Sequence, residues 1–378
     1  MSSSSSSSLS LPPLPTLPIT SSQTLDNCQK FPVRSTDIFI ASFPKSGTTW
    51  MQNIVLQLLL AQKQHEKENR SRGSGGNSDS PLPLPHISYY APFYEIDAHW
   101  TSTTTTTTTN TDTTTGDNNT TTTTDNIPQL IPAIQQAHQA LGRRVFNTHL
   151  RWDMLPTTGS TNNPWTEHAK FIYVVRDGRD VLTSFYHHLS NQQVEDGGFQ
   201  GTFDQFFQQF IEGQVAYGKW THHLQSWMTP ILLQQQQQQE QQQQDEDGST
   251  SSTTSTTPRH ILLVRYQDLL QDLRGQILKI AQFLDLNLDQ VQEYLDQVVT
   301  KTTFDYMRQH QQLFHPISVR WKPNYNFIRL GKNGDYQTLF TSSQQEAFRE
   351  AIRADFGGTL PHWFHDVVVG WVDAPTNS

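Results

Sequence analysis

One stretch near the N-terminus, residues 38–59, constrains the fold more than any other. Residues 38–43 are almost entirely apolar and predict a buried strand that ends before Gly47. Apolar side chains then recur at helical spacing from Trp50 to Leu59, so a helix is expected to start near Gly47. A strand, a short loop and a helix aim unpaired backbone N–H groups and the positive helix end at one point. The sequence therefore predicts an anion-binding loop, most simply a phosphate cradle.

The loop carries further groups that such a site needs. Lys45 adds a full positive charge, and the hydroxyls of Ser46, Thr48 and Thr49 add hydrogen-bond donors. The loop of nucleoside triphosphatases instead places a Gly-Lys-Ser/Thr triplet at the helix start, after a longer glycine-rich segment. Here the lysine precedes the glycine, so the loop does not match that class. The alternative interpretation is a chance lysine in a strand-to-helix turn.

Charge and cysteine content exclude several classes of protein. The formal net charge of −9 and the pI of about 5.9 argue against a general binder of nucleic acid or anionic membranes. The single cysteine, Cys28, excludes a disulfide framework and fits a reducing compartment. No apolar run is long enough to span a bilayer, and no basic residue precedes Lys30. A cytoplasmic protein without a membrane partner is expected.

Polar tracts interrupt the chain and lower its hydrophobic content to 34%. The Ser- and Pro-rich residues 1–34 predict a disordered tail, and residues 35–370 predict a single domain. Within that domain, polar or low-complexity composition predicts flexible insertions at about residues 63–85, 101–126 and 234–258.

Two further apolar runs predict buried strands at residues 170–175 and 260–265. Helical patterns separate the strands, so the expected fold class is α/β: three layers around a central parallel sheet. Arg176 follows the first of these strands directly. It is expected at the sheet edge where open α/β sheets bind ligands. The neighbouring Arg179 and Asp180 are expected to form only a surface ion pair.

A short strand at residues 144–148 ends next to His149. A lone histidine is more often structural than catalytic, so the residue alone does not indicate a role. Two histidine pairs, at 187–188 and 222–223, could suggest a metal site. No carboxylate or cysteine pattern accompanies them, and no metal is expected.

Several blocks of the chain resemble the cytosolic sulfotransferases, enzymes that take a sulfuryl group from 3′-phosphoadenylyl sulfate (PAPS). The blocks occur in the family's order between about residues 35 and 355. Residues 44–50 match its 5′-phosphosulfate loop, and residues 148–150 match its Thr-His-Leu segment. Residues 176–184 match its 3′-phosphate segment, and residues 266–269 and 302–307 match its adenine-contacting segments. Residues 327–335 match its second signature.

The resemblance implies a reaction and a set of residues. His149 would be the general base that takes the acceptor's proton, and Lys45 would stabilise the leaving phosphate. PAPS would leave as 3′-phosphoadenosine 5′-phosphate (PAP), and no metal is required. The residues implied in binding PAPS are Lys45, Ser46, Gly47, Thr48, Thr49, Trp50, Arg176, Ser184, Tyr266, Thr303, Phe304, Met307, Phe327, Arg329 and Gly331.

The chain departs from the family pattern at three places. Asn147 replaces a lysine that donates to the sulfuryl group, which predicts a loss of roughly tenfold in rate. Leu330 replaces a second lysine, for which the nearby Lys332 can compensate. Only two of four positions match the family's dimer motif, so a homodimer is left open; the positions are Gln337, Thr341, Ser342 and Glu346.

The acceptor is expected to be a small aromatic or apolar molecule, such as a phenol, steroid or fatty alcohol. This expectation rests on aromatic residues assigned to the pocket wall, namely Phe43, Phe93, Tyr94, Trp152 and Tyr186. Two alternatives stay open. One is a module that binds PAPS or PAP without transferring sulfate, which the lost lysines favour. The other is a phosphoryl-transfer enzyme, which needs a glycine before the lysine and an acidic metal ligand.

Overall fold

The structure, a computed structural model, describes residues 15–73, 86–101, 104–112, 119–156, 169–246 and 260–371. Its strands are β1 Ile38–Ser42, β2 Thr104–Asp112, β3 Asn119–Ile127, β4 Val145–Thr148, β5 Lys170–Val175 and β6 Ile261–Arg265. Its α-helices are α1 Ser22–Lys30, α2 Thr48–Gly73, α3 Ile87–Tyr90, α4 Pro132–Leu141, α5 Gly178–Ser190, α6 Phe203–Glu212, α7 Trp220–Glu246, α8 Tyr266–Gln271, α9 Leu273–Phe283, α10 Leu288–Thr302, α11 Phe304–Gln309, α12 Ser342–Asp355 and α13 Phe364–Val367.

A four-stranded parallel sheet in the order β4-β1-β5-β6 lies at the centre. In the register, Ile38 of β1 lies opposite Val145 of β4 and Lys170 of β5. All five residues of β1 are buried, as expected for a central strand covered on both faces. The predicted α/β class with a central parallel sheet is confirmed.

Side chains alternate between the two faces of the sheet and build a separate core on each. Ile38 and Ile40 point into one core, which helices α2, α9 and α10 cover. Phe39 points into the other, which helices α5, α6, α7 and α12 cover. The Phe39 ring stacks on Phe146 at 5.0 Å and on Phe171 at 5.2 Å, so an aromatic row ties three strands together. Helices on both faces complete the predicted three layers.

The prediction of a disordered tail over residues 1–34 is wrong for residues 22–30, which form helix α1. Ser21 caps the helix by accepting the Thr24 N–H. Cys28 is fully buried, and its backbone carbonyl accepts the Tyr94 hydroxyl at 2.8 Å. Phe31 then packs on Tyr94. A polar composition masks these few apolar anchors, because their burial depends on residues far along the chain. Residues 1–14 lie outside the described residues.

Parts of the three predicted flexible insertions form regular secondary structure. Helix α2 continues to Gly73, and helix α7 continues through the glutamines to Glu246. Glutamine is a good helix former, so a helix that has begun can extend through it. Strands β2 and β3 pair as an antiparallel hairpin, since the β-branched threonine favours strands. The remaining parts, residues 74–85, 102–103, 113–118 and 247–259, lie outside the described residues. Among the described helices, none is long and apolar enough to cross a membrane.

Candidate active site

A cavity of about 240 Å³ opens at the carboxyl edge of the sheet. Each of the four parallel strands delivers a lining residue just past its end: Lys45 after β1, His149 after β4, Arg176 after β5 and Tyr266 after β6. Strand ends at one edge of a parallel sheet are where such folds bind ligands. Side chains that the sequence scatters over 222 positions therefore meet in one place.

The loop between β1 and α2 has the backbone that an anion cradle needs. Lys45 and Gly47 both adopt positive φ, at 69° and 112°. A Cβ on Gly47 would lie 2.7 Å from the Tyr266 ring, so only glycine fits here. The Met51 N–H donates to the Gly47 carbonyl as the helix begins. The backbone N–H groups of the first helical turn have no carbonyl acceptor within the helix. They can therefore bind an anion at the helix start.

Lys45 lies half-buried in the wall of the cavity. Its Nζ is 3.2 Å from Nδ1 of His188 and 4.7 Å from the centre of the Phe327 ring. Burial, together with the positive charges of Arg176 and Arg329, lowers the pKa of Lys45 to about 7. The ammonium is thus held among other cations. An incoming anion relieves this repulsion and restores the full charge.

His149 is buried, and its ring has one nitrogen committed. Nδ1 lies 2.7 Å from the Ser42 carbonyl oxygen, which can only accept, so Nδ1 carries the proton. Nε2 therefore keeps its lone pair. Burial lowers the pKa of His149 to about 4, and the nearby Lys45 adds to that effect. The ring is neutral near pH 7 and suited to accept a proton.

Buried partners fix the backbone around His149. Oε1 of Glu95 accepts the His149 N–H at 2.7 Å, and Oε2 accepts the Thr148 hydroxyl at 2.8 Å. On the other side, His223 donates from Nε2 to the His149 carbonyl at 3.1 Å. The His223 Nδ1 accepts the Tyr173 hydroxyl, also at 3.1 Å. Burial raises the pKa of Glu95 to about 7, although the hydrogen bonds that it accepts from His149 and Thr148 oppose the shift.

Arg176 joins the phosphate loop to the loop at residues 327–335, called the C-terminal loop below. Its guanidinium donates to the carbonyls of Lys45 at 3.3 Å and Lys332 at 2.7 Å, and it stacks over the Tyr266 ring at 4.5 Å. Arg329 and Ser184 line the same region of the cavity. Two guanidinium groups on one wall suit a phosphate group.

The expected surface ion pair between Arg179 and Asp180 is wrong. Asp180 is 1% exposed and accepts the backbone N–H groups of Gly334, at 2.9 Å, and Tyr336, at 3.2 Å. Arg179 pairs instead with Asp177, the N-cap of helix α5. Asp180 therefore anchors the C-terminal loop to helix α5, a role that spacing along the chain does not reveal.

Aromatic side chains form the far wall. Trp50 donates from Nε1 to the Thr302 carbonyl at 2.7 Å, and its ring meets Tyr266 edge-on at 5.4 Å. Phe304 and Met307 line the cavity beside them. Gly331 has φ +61°, and a Cβ there would overlap the Phe304 ring, so the loop backbone lies directly on that ring.

The cavity brings together every predicted site residue except Ser46 and Thr303. Ser46 is 1% exposed, and its N–H donates to the Phe43 carbonyl. Thr303 caps helix α11: its hydroxyl accepts the Tyr306 N–H and donates to the Thr300 carbonyl at 2.9 Å. Both residues support the elements that carry the site and do not line the cavity.

The predicted acceptor wall is largely wrong. Phe93 lines the cavity, but the other four aromatic residues, Phe43, Tyr94, Trp152 and Tyr186, pack in the core or against it. The cavity instead includes Leu17, Tyr217 and His188. Leu17 lies in the segment predicted to be disordered, so composition gave no signal for it. Among the described residues, no three His, Cys, Asp or Glu side chains form a group that could hold a metal ion.

Comparison with known proteins identifies the family. The sequence profile of the sulfotransferase domain matches residues 35–239 and 251–360. The chain belongs to the sulfotransferase family. This membership sets aside the phosphoryl-transfer alternative.

Individual relatives are distant but cover nearly the whole chain. Rat sulfotransferase 1C2 is 26% identical over 342 residues, which are 89% of each chain. Human sulfotransferase 1E1 is 25% identical over 326 residues, which are 85% of this chain and 84% of the relative. Mouse sulfotransferase SULT7A1 complexed with PAP has the same fold, with a TM-score of 0.53 and 21% identity. The match covers 89% of this chain and 90% of that chain. Retinol dehydratase in complex with retinol and PAP also has a TM-score of 0.53, with 18% identity over 91% of this chain and 89% of that chain.

Proposed function

We propose that this sulfotransferase moves the sulfuryl group of PAPS to a hydroxyl or amine of a small aromatic or apolar acceptor, with His149 as general base. The observation that carries the proposal is the pairing of Lys45 and His149 in one cavity. Lys45 supplies a cation beside two guanidinium groups, and His149 supplies a neutral imidazole whose Nε2 keeps its lone pair. Group transfer with loss of an acceptor proton requires both groups.

The described residues fit PAPS as donor. The first-turn amides of helix α2 and Lys45 would hold the 5′-phosphosulfate. Arg176, Ser184 and Arg329 would hold the 3′-phosphate, and the rings of Trp50 and Tyr266 would hold the adenine. The PAP complexes of the mouse sulfotransferase and of retinol dehydratase support this choice.

In this scheme the residues of the chain divide three tasks. His149 takes the proton from the acceptor through Nε2. Lys45 and the helix start stabilise the negative charge that develops on the leaving phosphate. The fixed β1 and β4 ends hold donor and acceptor in line, which lowers the entropy cost of bringing them together. PAPS supplies the sulfuryl group, and the product is PAP.

The acceptor proposal rests on the remaining lining of the cavity. Apolar surface of the cavity comes from Leu17, Phe93, Phe185, Leu189 and Tyr217. Two of these rings lie beside the base: the ring centres of Phe93 and Tyr217 are 4.8 and 5.2 Å from that of His149. Such a wall favours a flat or aliphatic molecule over a large sugar, because sugar hydroxyls would lose water without gaining partners.

One observation favours a second candidate, a PAPS- or PAP-binding module with weak or no transfer. Asn147 lines the cavity, but its Nδ2 donates to the Ala91 carbonyl at 2.7 Å. One of the two N–H donors of the amide that replaces the family lysine is therefore already occupied. Retained Lys45 and His149 argue for the enzyme.

The test is incubation with sulfur-labelled PAPS and a panel of phenols, sterols, aliphatic alcohols, amines and sugars. We expect label to reach the phenols or other apolar acceptors. Tight PAP binding without transfer to any member would favour the binding module, and transfer to sugars alone would overturn the acceptor assignment.

The compartment and assembly are further proposals. The cytosol fits a chain whose single thiol, Cys28, is free and buried. A homodimer through the family motif remains a prediction. In that motif Thr341 caps helix α12 and Glu346 pairs with Arg349, so both have partners within the chain.

A further inference from the structure

One side-chain contact of Lys45 has no role in the scheme above. In the part of the chain that the structure describes, the Lys45 ammonium hydrogen-bonds to a single side chain, His188. The two residues lie 143 positions apart, and His188 lies near the end of helix α5. Both line the cavity in which transfer would occur.

The His188 ring is held firmly enough to act as a fixed partner. Its Nδ1 is 3.2 Å from the Tyr325 hydroxyl. The ring also packs edge-on against Trp321 at 4.9 Å and Phe327 at 5.9 Å. The Phe327 ring in turn lies under the Lys45 ammonium, so one aromatic cluster supports both members of the pair.

Proton counting fixes which partner donates. An ammonium has three donors and no acceptor, so Nδ1 of His188 accepts from Lys45 and is unprotonated. Burial, with the nearby Lys45 and His149, holds the pKa of His188 well below its usual range. The ring is therefore a neutral acceptor over the whole physiological range and never competes with Lys45 as a cation.

We propose that His188 is a positioning residue for Lys45: it accepts a hydrogen bond that keeps the lysine charged and aimed into the cavity before the donor arrives. The role of Lys45 in transfer rests on the function proposed above. The hydrogen bond itself does not depend on that function.

The charges around Lys45 make this support necessary. Arg176 and Arg329 face the ammonium, and His149 and Tyr325 are neutral near pH 7. Two acids beside these guanidinium groups are already engaged: Asp335 pairs with Arg329, and Asp180 lies 3.9 Å from Arg176 and binds two amides. Without His188, the ammonium would face two guanidinium groups, and none of its hydrogen bonds to described side chains would remain.

The test is the pKa of Lys45 in the full chain, measured by competitive acetylation with acetic anhydride over pH 5–10. Mass spectrometry of the peptide that contains Lys45 follows the reaction, which reports only the neutral amine. The wild type should titrate at about 7. His188→Phe keeps an aromatic ring but no acceptor, and should lower that pKa by about one pH unit. At pH 7 the charged fraction then falls from about one half to about one tenth.

A conservative variant and a control separate positioning from general damage. His188→Asn keeps an acceptor near the Nδ1 position and should restore the pKa to within about a third of a pH unit of the wild type. His222→Phe, on helix α7 outside the cavity lining, should leave it unchanged. Thermal unfolding of each variant checks that the chain is folded.

An unchanged Lys45 pKa in folded His188→Phe would overturn the proposal, as would equal shifts in the phenylalanine and asparagine variants. Failure of the proposed function shows differently, since the wild type would then transfer no label from PAPS while the acetylation results stand. If transfer does occur, the alkaline limb of kcat/KM for PAPS should move with the acetylation pKa.

Discussion

The Nδ1–H of His149 donates to the backbone carbonyl of Ser42 across 2.7 Å. This bond crosses from the end of strand β4 to the last residue of strand β1, immediately before the phosphate loop. It sets the ring orientation and the tautomer at once, since only Nε2 then retains a lone pair. The end of strand β1 therefore positions both His149 and the phosphate loop that contains Lys45.

The pH dependence of kcat/KM for PAPS should be bell-shaped, because two free-enzyme groups must be in opposite states. His149 must be neutral, so activity is present above its pKa of about 4 and is lost as the pH falls through that value. Lys45 must be charged, so activity is lost as the pH rises through about 7. Steady-state rates in overlapping buffers would check this. A flat profile between pH 4 and 9 would contradict it.

Glu95→Gln should change how the free energy of unfolding depends on pH. Burial raises the Glu95 pKa from 4.5 to about 7, so the folded chain binds the proton more tightly. The protonated Glu95 carboxyl therefore adds about 3 kcal/mol to the free energy of unfolding at a pH below 4.5, its pKa in the unfolded chain. This contribution is lost as the pH rises to about 7. Urea unfolding at pH 5 and pH 7.5 should show this loss in the wild type but not in Glu95→Gln. Equal pH dependence in both proteins would argue against the raised pKa.

Asn147→Lys should raise turnover by about tenfold, because a charged donor contributes about 1–1.5 kcal/mol more than a neutral one. The longer side chain would leave the Ala91 carbonyl and reach further into the cavity. Saturating steady-state assays measure the effect, with the uncharged Asn147→Met as the control. A rise in the methionine variant, or no rise in the lysine variant, would show that the missing charge does not limit the rate.

Two glycines of the C-terminal loop offer a matched pair. Both Gly331 and Gly334 have positive φ, but only a Cβ on Gly331 would overlap the Phe304 ring. The nearest neighbour of a Cβ on Gly334 is 4.0 Å away. Gly331→Ala should therefore weaken PAP binding by at least about tenfold, whereas Gly334→Ala should cost only about 1 kcal/mol of stability. Calorimetric titration with PAP measures both, and equal losses of affinity would contradict the assigned contact.

Local sequence pattern predicts the four strands of the parallel sheet, and the structure confirms them. The ends of β1, β4, β5 and β6 were evident because apolar runs followed by breakers report strand ends directly. Their meeting at one edge followed from parallel topology. The ring of His188 against Lys45, and Leu17 in the cavity wall, could not be predicted. Both depend on packing between segments far apart in sequence, which no local periodicity encodes. The buried position of Asp180 could not be predicted for the same reason.

Single-turnover transfer from sulfur-labelled PAPS to an acceptor from the panel, comparing wild type with His149→Ala, tests the central claim most directly. Parallel PAP titrations confirm that the alanine variant still binds the nucleotide. The account predicts rapid labelling by the wild type, a loss of about 10²-fold or more in the variant, and similar PAP affinity in both. Equal transfer by both proteins, with PAP bound equally well, would show that His149 is not the base.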